Sequence, residues 1–141
     1  MEVITTSAIQ TKEFASKIAV KARPGDVYAL IGDLGSGKTT FTRFFVEALG
    51  FESRVQSPTF VILRKYTTNS GDIAVVNHFD LYRIQSIEEI VDLGFEELIT
   101  ERNSISIIEW PELILDKLPK NAKIINFEYI GENERKITIQ D

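Results

Sequence analysis

One glycine-rich segment constrains this chain more than any other, Gly32-Asp33-Leu34-Gly35-Ser36-Gly37-Lys38-Thr39. It matches the phosphate-binding loop pattern G-x-x-x-x-G-K-[ST] at every fixed position. The apolar run 27–31 before it is long enough for one buried strand. Residues 39–49 after it carry apolar side chains at helical spacing, and Gly50 follows where a helix C-cap is expected. The segment therefore has the strand–loop–helix context that the motif requires.

The residue types in this loop suit a nucleotide triphosphate. Backbone N–H groups converge on phosphate oxygens only where side chains do not intrude, hence the glycines. The helix beginning near Lys38 adds its positive dipole end. The Lys38 ammonium suits the β- and γ-phosphates, and the Thr39 hydroxyl suits Mg²⁺. The predicted nucleotide contacts in the loop are Asp33, Gly35, Ser36, Gly37, Lys38, Thr39 and Thr40.

Asp33 is unusual in such a loop, because an acid there repels phosphate unless it points away or reaches the metal. We favour the interpretation that it braces the loop.

Composition restricts the class of protein. A chain of 141 residues is expected to form one domain, residues 1–141. It has no cysteine and one histidine, so it carries no disulfide and no thiolate or histidine-rich metal site. No signal peptide or membrane-spanning run is recognisable, which predicts a cytoplasmic protein. The net charge of −5 argues against direct binding of nucleic acid.

The hydrophobic pattern predicts an α/β fold. The predicted strands are residues 2–6, 27–31, 60–66, 73–79, 104–108, 123–129 and 135–139. The predicted helices are a first one capped by Thr11 and ending before Pro24, then residues 39–49, 86–93, 95–99 and 112–118. Ser86 and Glu89 form a predicted capping box, and strands 60–66 and 73–79 an antiparallel pair. We predict a P-loop NTPase-like single domain, with a mixed, mostly parallel sheet between helices and its ligand beyond the carboxyl ends of the strands.

Two acidic residues compete for the metal. Asp80 and Glu109 each follow a predicted strand, where a phosphate loop usually finds a carboxylate that orients Mg²⁺ or its water shell. Each also fits a solvated strand-end carboxylate or a helix cap. The two roles are compatible, since one acid can ligate the metal while the other holds a water.

Three further positions are of interest. Thr59, in Ser57-Pro58-Thr59, lies where related folds carry a switch loop that senses the γ-phosphate; the same triplet also fits a stiffened turn. His78 is better suited to a structural hydrogen bond than to acting as a base. Trp110 is better suited to core or interface packing than to nucleotide stacking.

Four blocks of sequence occur together in this order. They are the loop with Thr40, then Ser57-Pro58-Thr59-Phe60, His78-Phe79-Asp80-Leu81-Tyr82-Arg83 and Glu109-Trp110-Pro111. This combination resembles the TsaE (YjeE) family over nearly the whole chain. The resemblance implies a cytoplasmic ATPase of tRNA threonylcarbamoyladenosine (t6A) biosynthesis that acts with the TsaB–TsaD pair on adenosine 37. We also expect the chain to be a monomer when alone and, given its net charge of −5, to reach tRNA only indirectly.

The resemblance also assigns roles to residues. Lys38 and the loop bind ATP, Thr39 and Glu109 resemble the Mg²⁺ ligands, and Asp80 resembles the Walker B acid. Thr59 resembles a switch threonine.

The family's adenine contacts come from less distinctive segments. The candidates for them here are Thr11, near the first helix, and Arg135, in the last hairpin.

Three other functions remain open. A small-molecule kinase needs a lid with clustered arginines, whereas Arg64, Arg83 and Arg102 are scattered. A GTPase generally needs Asn-Lys-x-Asp, and the segment 77–80 lacks the lysine. A nucleotide-gated binding module without a hydrolytic role fits as well. No water-orienting residue or arginine finger is evident, so intrinsic hydrolysis is expected to be slow and completed by partners.

Overall fold

A computed structural model describes residues 1–51, 62–67 and 71–140. Within these ranges the strands are β1 Glu2–Thr5, β2 Val27–Ile31, β3 Leu63–Thr67, β4 Val75–Asp80, β5 Ser104–Glu109, β6 Lys123–Tyr129 and β7 Arg135–Gln140. The helices are α1 Ala8–Val20, α2 Lys38–Ala48, α3 Ile87–Asp92, α4 Phe95–Ile99 and a 3-10 helix Glu112–Lys117.

The described strands form one mixed sheet in the order β1-β7-β6-β2-β5-β4-β3. Its centre is parallel, because β2 pairs with both β5 and β6 and β5 pairs with β4. Both sides end in antiparallel pairs, β3 with β4 and β1 and β6 with β7. This confirms the predicted α/β fold and its parallel centre. The carboxyl ends of β2, β4 and β5 consequently meet at one edge of the sheet.

Apolar side chains cover the sheet on both faces. One buried cluster joins α1 and α2 to the sheet, and a second gathers residues of α3, α4 and the 3-10 helix. In the first cluster Phe41 and Phe45 stack with ring centroids 5.6 Å apart. Phe45 also packs edge-on against Tyr28 of β2 at 5.0 Å. These aromatic contacts fix α2 over the strand that precedes the glycine loop.

The prediction that Thr11 caps the first helix is wrong. The N-cap is Ser7, whose hydroxyl accepts a hydrogen bond from the Gln10 amide at 3.3 Å. Thr11 lies one turn inside α1, is buried, and donates its hydroxyl to that of Thr5 at 3.2 Å. Both hydroxyl residues suit an N-cap, and the pairing of Thr11 with β1 decides between them.

Two other local predictions are modified. Ser86 is the N-cap of α3, but Glu89 accepts from the amide of Gln85 rather than from Ser86. Residues 112–117 form a 3-10 helix with a non-helical residue, Ile114, whose side chain is fully buried.

Within the described ranges, every helix falls short of the length and apolar character needed to span a membrane.

Candidate nucleotide-binding site

The glycine loop bends tightly between β2 and α2. Gly35 and Gly37 have φ values of 78° and 105°, which residues with a side chain rarely adopt. A Cβ on Gly32 would lie 2.6 Å from the carbonyl oxygen of Phe127 in β6, so this position has no room for a side chain. Gly37 is the N-cap of α2 and makes no side-chain cap. The first amides of α2 are therefore available to a ligand.

Lys38 folds back over this loop. Its ammonium donates to the carbonyl oxygen of Gly32 and lies 3.6 Å from the centre of the Trp110 ring. The side chain is buried, and burial lowers its pKa from the ordinary value of 10.5, against the raising effect of Glu109 and other nearby acids. A polyphosphate would provide the negative charge that favours the protonated ammonium.

Glu109 and Asp80 are side by side at the carboxyl edge of the sheet, since they are paired across β4 and β5. Both are buried. Glu109 Oε1 accepts from the Thr39 hydroxyl at 3.5 Å, and its Oε2 lies 2.6 Å from Nε2 of His78. Asp80 Oδ1 accepts from the amide of Tyr82 at 3.0 Å, which fixes its carboxylate at the strand end.

These groups line one open cavity of about 340 Å³, the phosphate cavity. Its lining residues are Leu34, Gly35, Gly37, Lys38, Thr39, Thr40, Asp80, Tyr82, Glu109, Trp110 and Arg135. The structure thus brings Gly35, Gly37, Lys38, Thr39 and Thr40 of the predicted loop contacts together with both predicted acids, Asp80 and Glu109.

A second cavity of about 210 Å³, the hairpin cavity, lies between α1, the loop and the last hairpin. Its lining residues are Thr5, Ser7, Ala8, Thr11, Ser36, Gly37, Thr40, Phe127, Glu132, Asn133, Arg135 and Ile137. Both adenine candidates, Thr11 and Arg135, are among them. Gly37, Thr40 and Arg135 line both cavities, so the two lie side by side over the start of α2.

Arg135 is held in place by its own hairpin. Its Nη1 donates to the carbonyl oxygens of Gly131 at 3.0 Å and Glu134 at 2.9 Å. Its guanidinium carbon lies 4.5 Å from the ring centre of Tyr129. The buried Nε has no hydrogen-bond partner within the described chain, and the same is true of the Ser36 hydroxyl. Buried unsatisfied groups of this kind suit a polar ligand.

One described residue among the predicted contacts, Asp33, is not part of either cavity lining. Asp33 is exposed and lines a different depression, on the β6 side of the loop. Its backbone carbonyl accepts from the Ser36 amide at 3.1 Å, so its main chain closes a turn of the loop. Thr59 and the Ser57-Pro58-Thr59 segment lie outside the described residues.

The oxygen donors of the phosphate cavity fit Mg²⁺. They are the Thr39 hydroxyl and the carboxylates of Asp80 and Glu109. Within the described ranges no group of three or more His, Cys, Asp and Glu side chains is arranged to hold a metal ion. Mg²⁺ usually takes one or two carboxylates and completes its shell with phosphate and water, and this cavity supplies two carboxylates.

Sequence reasoning missed two contacts of this site. His78 contacts Glu109, and Tyr82 packs on Trp110 with ring centroids 4.8 Å apart. The spacing His78-x-Asp80 was an available signal for the first, because alternate strand residues share a face. Trp110 itself lies against Lys38 rather than in the core, with a φ of 57°.

A glycine loop between a central parallel strand and a helix, with acids on the two neighbouring strand ends, defines the fold class of P-loop NTPases. Within that class the family is shown by sequence. The family model described as "Threonylcarbamoyl adenosine biosynthesis protein TsaE" matches residues 5–137. The chain belongs to the TsaE family.

Proteins of this family align with the chain over most of their own length. The tRNA threonylcarbamoyladenosine biosynthesis protein TsaE of Bacillus subtilis is 41% identical over 134 residues, which span 95% of this chain and 81% of that protein. The protein of the same name from Treponema pallidum is 30% identical over 139 residues, 99% of both chains. The crystal structure of Bacillus subtilis YdiB superposes with a TM-score of 0.79 at 34% identity, covering 99% of this chain and 83% of that one.

Proposed function

We propose that this chain binds ATP with Mg²⁺ and hydrolyses it as the ATPase subunit of t6A formation at adenosine 37 of tRNA, together with TsaB and TsaD. The observation that carries the proposal is the convergence of Lys38, Thr39, Asp80 and Glu109 on one cavity above a phosphate-binding loop. Membership of a family of tRNA threonylcarbamoyladenosine biosynthesis proteins supports the pathway.

In this proposal the phosphate cavity holds the reacting end of ATP. Lys38 exchanges its contact with the Gly32 carbonyl for the β- and γ-phosphates, and the amides at the start of α2 bind the same oxygens. Water then attacks the γ-phosphorus in line with the leaving β-phosphate oxygen. The fixed positive groups stabilise charge that develops on the phosphate oxygens.

Thr39 and Glu109 would hold Mg²⁺, and Asp80 would hold one of its waters. A bound Mg²⁺ neutralises phosphate charge and orients the triphosphate. It would also relieve the repulsion between a triphosphate and the two buried carboxylates, Asp80 and Glu109.

The hairpin cavity holds the adenosine end. Its lining is largely uncharged, and Thr11, Ser36 and Asn133 supply polar groups around apolar walls. Arg135 lines both cavities, and its buried Nε has no hydrogen-bond partner within the described chain.

Hydrolysis by the isolated chain is expected to be slow, because the described lining of the phosphate cavity contains no glutamine or second arginine to complete the site. TsaB and TsaD would complete it, and the acidic chain would reach tRNA only through them. We place this reaction in the cytoplasm, with the isolated chain a monomer.

Steady-state ATP hydrolysis tests the proposal, first with the chain alone and then with TsaB–TsaD added. A low rate that rises sharply with the pair supports a partner-completed ATPase. A rate of tens per second for the chain alone would contradict it, as would a preference for GTP or phosphate transfer to a metabolite.

The absence of a water-orienting amide from the described lining also favours one alternative, a nucleotide-gated module in which ATP binding alone sets partner affinity. A Glu109→Ala protein that binds ATP without cleaving it separates the two. Repeated rounds of tRNA modification with that variant would favour the module.

A further inference from the structure

We infer that His78 is the positioning residue for Glu109, fixing one carboxylate oxygen so that the other is presented to Thr39 and the metal. The inference rests on the proposed function, because it gives Glu109 its role in holding Mg²⁺.

The contact between His78 and Glu109 is short and shielded from solvent. His78 is fully buried, Glu109 is 3% exposed, and Nε2 lies 2.6 Å from Oε2. An ionised carboxylate only accepts hydrogen bonds, so Nε2 donates. With Oε2 engaged, Oε1 is the oxygen left to face the Thr39 hydroxyl, 3.5 Å away. The carboxylate is thereby held in one rotamer between the sheet and the first turn of α2.

The register of the sheet produces this contact. Side chains two apart in a strand share a face, so His78 and Asp80 project from the same side of β4. Asp80 pairs with Glu109 across the parallel β4–β5 ladder, and His78 pairs with Ile107. His78 therefore lies two residues before the end of β4. From there its imidazole contacts the carboxylate of Glu109 at the end of β5.

A neighbour on the same strand shows what a purely structural polar residue does here. Asn77 is equally buried, points to the other face, and donates to the Leu98 carbonyl at 3.1 Å. His78 instead makes its hydrogen bond to a candidate metal ligand, whereas the Asn77 amide donates to the Leu98 carbonyl and to Glu101, both outside the phosphate cavity. Groups that hydrogen-bond a ligating side chain fix its orientation and raise metal affinity.

The test compares His78→Leu, His78→Gln and the matched control Asn77→Leu. For each protein, affinity for the non-hydrolysable ATP analogue adenylyl imidodiphosphate is measured in EDTA and in Mg²⁺. The ratio of the two affinities is the Mg²⁺ gain. We expect His78→Leu to lower this gain about tenfold or more while leaving affinity in EDTA unchanged. His78→Gln, whose amide can donate to Oε2, should recover most of the gain, and Asn77→Leu should keep all of it.

A second readout needs no nucleotide. His78 is the single histidine of the chain, so its imidazole resonances are unambiguous. A buried hydrogen-bonded Nε2 proton should be protected from exchange in the wild type and should shift in Glu109→Gln. This measurement also decides the matter if His78→Leu fails to fold.

The outcomes distinguish a failure of the proposed function from a failure of the positioning role of His78. A wild-type chain that binds the analogue in neither condition overturns the proposed function and the role of His78 with it. Normal binding with an unchanged Mg²⁺ gain in His78→Leu overturns the positioning role alone. Equal losses in His78→Leu and Asn77→Leu, or a His78 proton indifferent to Glu109→Gln, would do the same.

Discussion

The two cavities of this site are built in different ways. In the phosphate cavity, buried ionisable groups converge: Lys38, Asp80 and Glu109 all lie within a small volume. In the hairpin cavity, hydroxyls such as those of Thr11 and Ser36 lie among apolar walls. A site that must stabilise developing charge needs fixed charges, whereas a site that holds a base needs shape and a few polar groups.

The difference predicts how each cavity tolerates change. Removing a charge from the phosphate cavity should affect the chemical step, while removing a hydroxyl from the hairpin cavity should affect only affinity. Glu109→Gln and Thr11→Val test that contrast directly. Two further predictions, for Gly32 and Lys38, concern the stability of the glycine loop and the charge that the phosphate cavity presents to nucleotide.

Glu109→Gln should lower ATP hydrolysis about 10²–10³-fold, because the amide retains the shape of the side chain but loses the charge that holds the metal. Affinity for nucleotide in EDTA should change little. Single-turnover hydrolysis in Mg²⁺, with and without TsaB–TsaD, measures the loss. A loss confined to nucleotide affinity would place Glu109 outside the chemistry.

Gly32→Ala should lower the free energy of unfolding by about 1–3 kcal/mol, since the new Cβ would meet the backbone oxygen of Phe127 at 2.6 Å. Gly131→Ala is the matched control, because its Cβ would meet only the side chain of Glu134, at 3.5 Å or more. That variant should stay within about 0.5 kcal/mol of the wild type. Urea unfolding measures the stability of both variants and of the wild type. Equal stabilities would show that β6 shifts to accommodate the added Cβ.

Thr11→Val should weaken ATP binding by about two- to tenfold, the worth of one hydrogen bond, and leave the hydrolysis rate at saturation unchanged. It also removes the hydrogen bond to Thr5. Thr100→Val serves as a control, because the Thr100 hydroxyl bonds to the Glu96 carbonyl within its own helical segment. Equilibrium titration of both variants gives the comparison, and unaltered affinity in Thr11→Val would remove Thr11 from the base contacts.

The smallest effect concerns pH. Burial lowers the pKa of Lys38 below 10.5, whereas bound phosphate favours its protonated form and raises that pKa again. At a pH between the pKa of Lys38 in the free chain and its pKa in the complex, nucleotide binding is accompanied by protonation of Lys38. Affinity is therefore highest below the lowered pKa and falls as pH rises through it, by at most about tenfold per pH unit.

Titrating affinity from neutral pH up to 10.5, the ordinary lysine pKa, measures this slope. Lys38→Arg, which stays charged throughout, should show none of it. A wild-type slope that persists in Lys38→Arg would assign the titration to another group.

Much of this protein could be predicted from local sequence. The glycine loop, the strand before it and the helix after it were located to within a residue, because the motif requires backbone conformations that few other residues allow. Asp80 and Glu109 were found because each lies at the end of a predicted strand, although Asn77 and His78 interrupt the apolar run before Asp80. The antiparallel pairing of β3 with β4 was also predicted correctly.

Other features depended on contacts distant in sequence. Ser7 and Thr11 are both favoured N-cap residue types, and the hydrogen bond of Thr11 to Thr5 on β1 places Thr11 inside the helix instead. The helix predicted for residues 112–118 became a 3-10 helix in which Ile114 leaves helical geometry and is buried in the core. In both cases burial against another element outweighed local propensity.

The sequence by itself determined the phosphate-binding chemistry, since G-x-x-x-x-G-K-[ST] encodes its backbone and its charge within eight consecutive residues. Only the tertiary structure decided which side chains complete it. Glu109 is 70 residues from Thr39 and 31 from His78, yet it contacts both. Strand order and register bring these residues together, and both are set by packing of the whole sheet rather than by any local pattern.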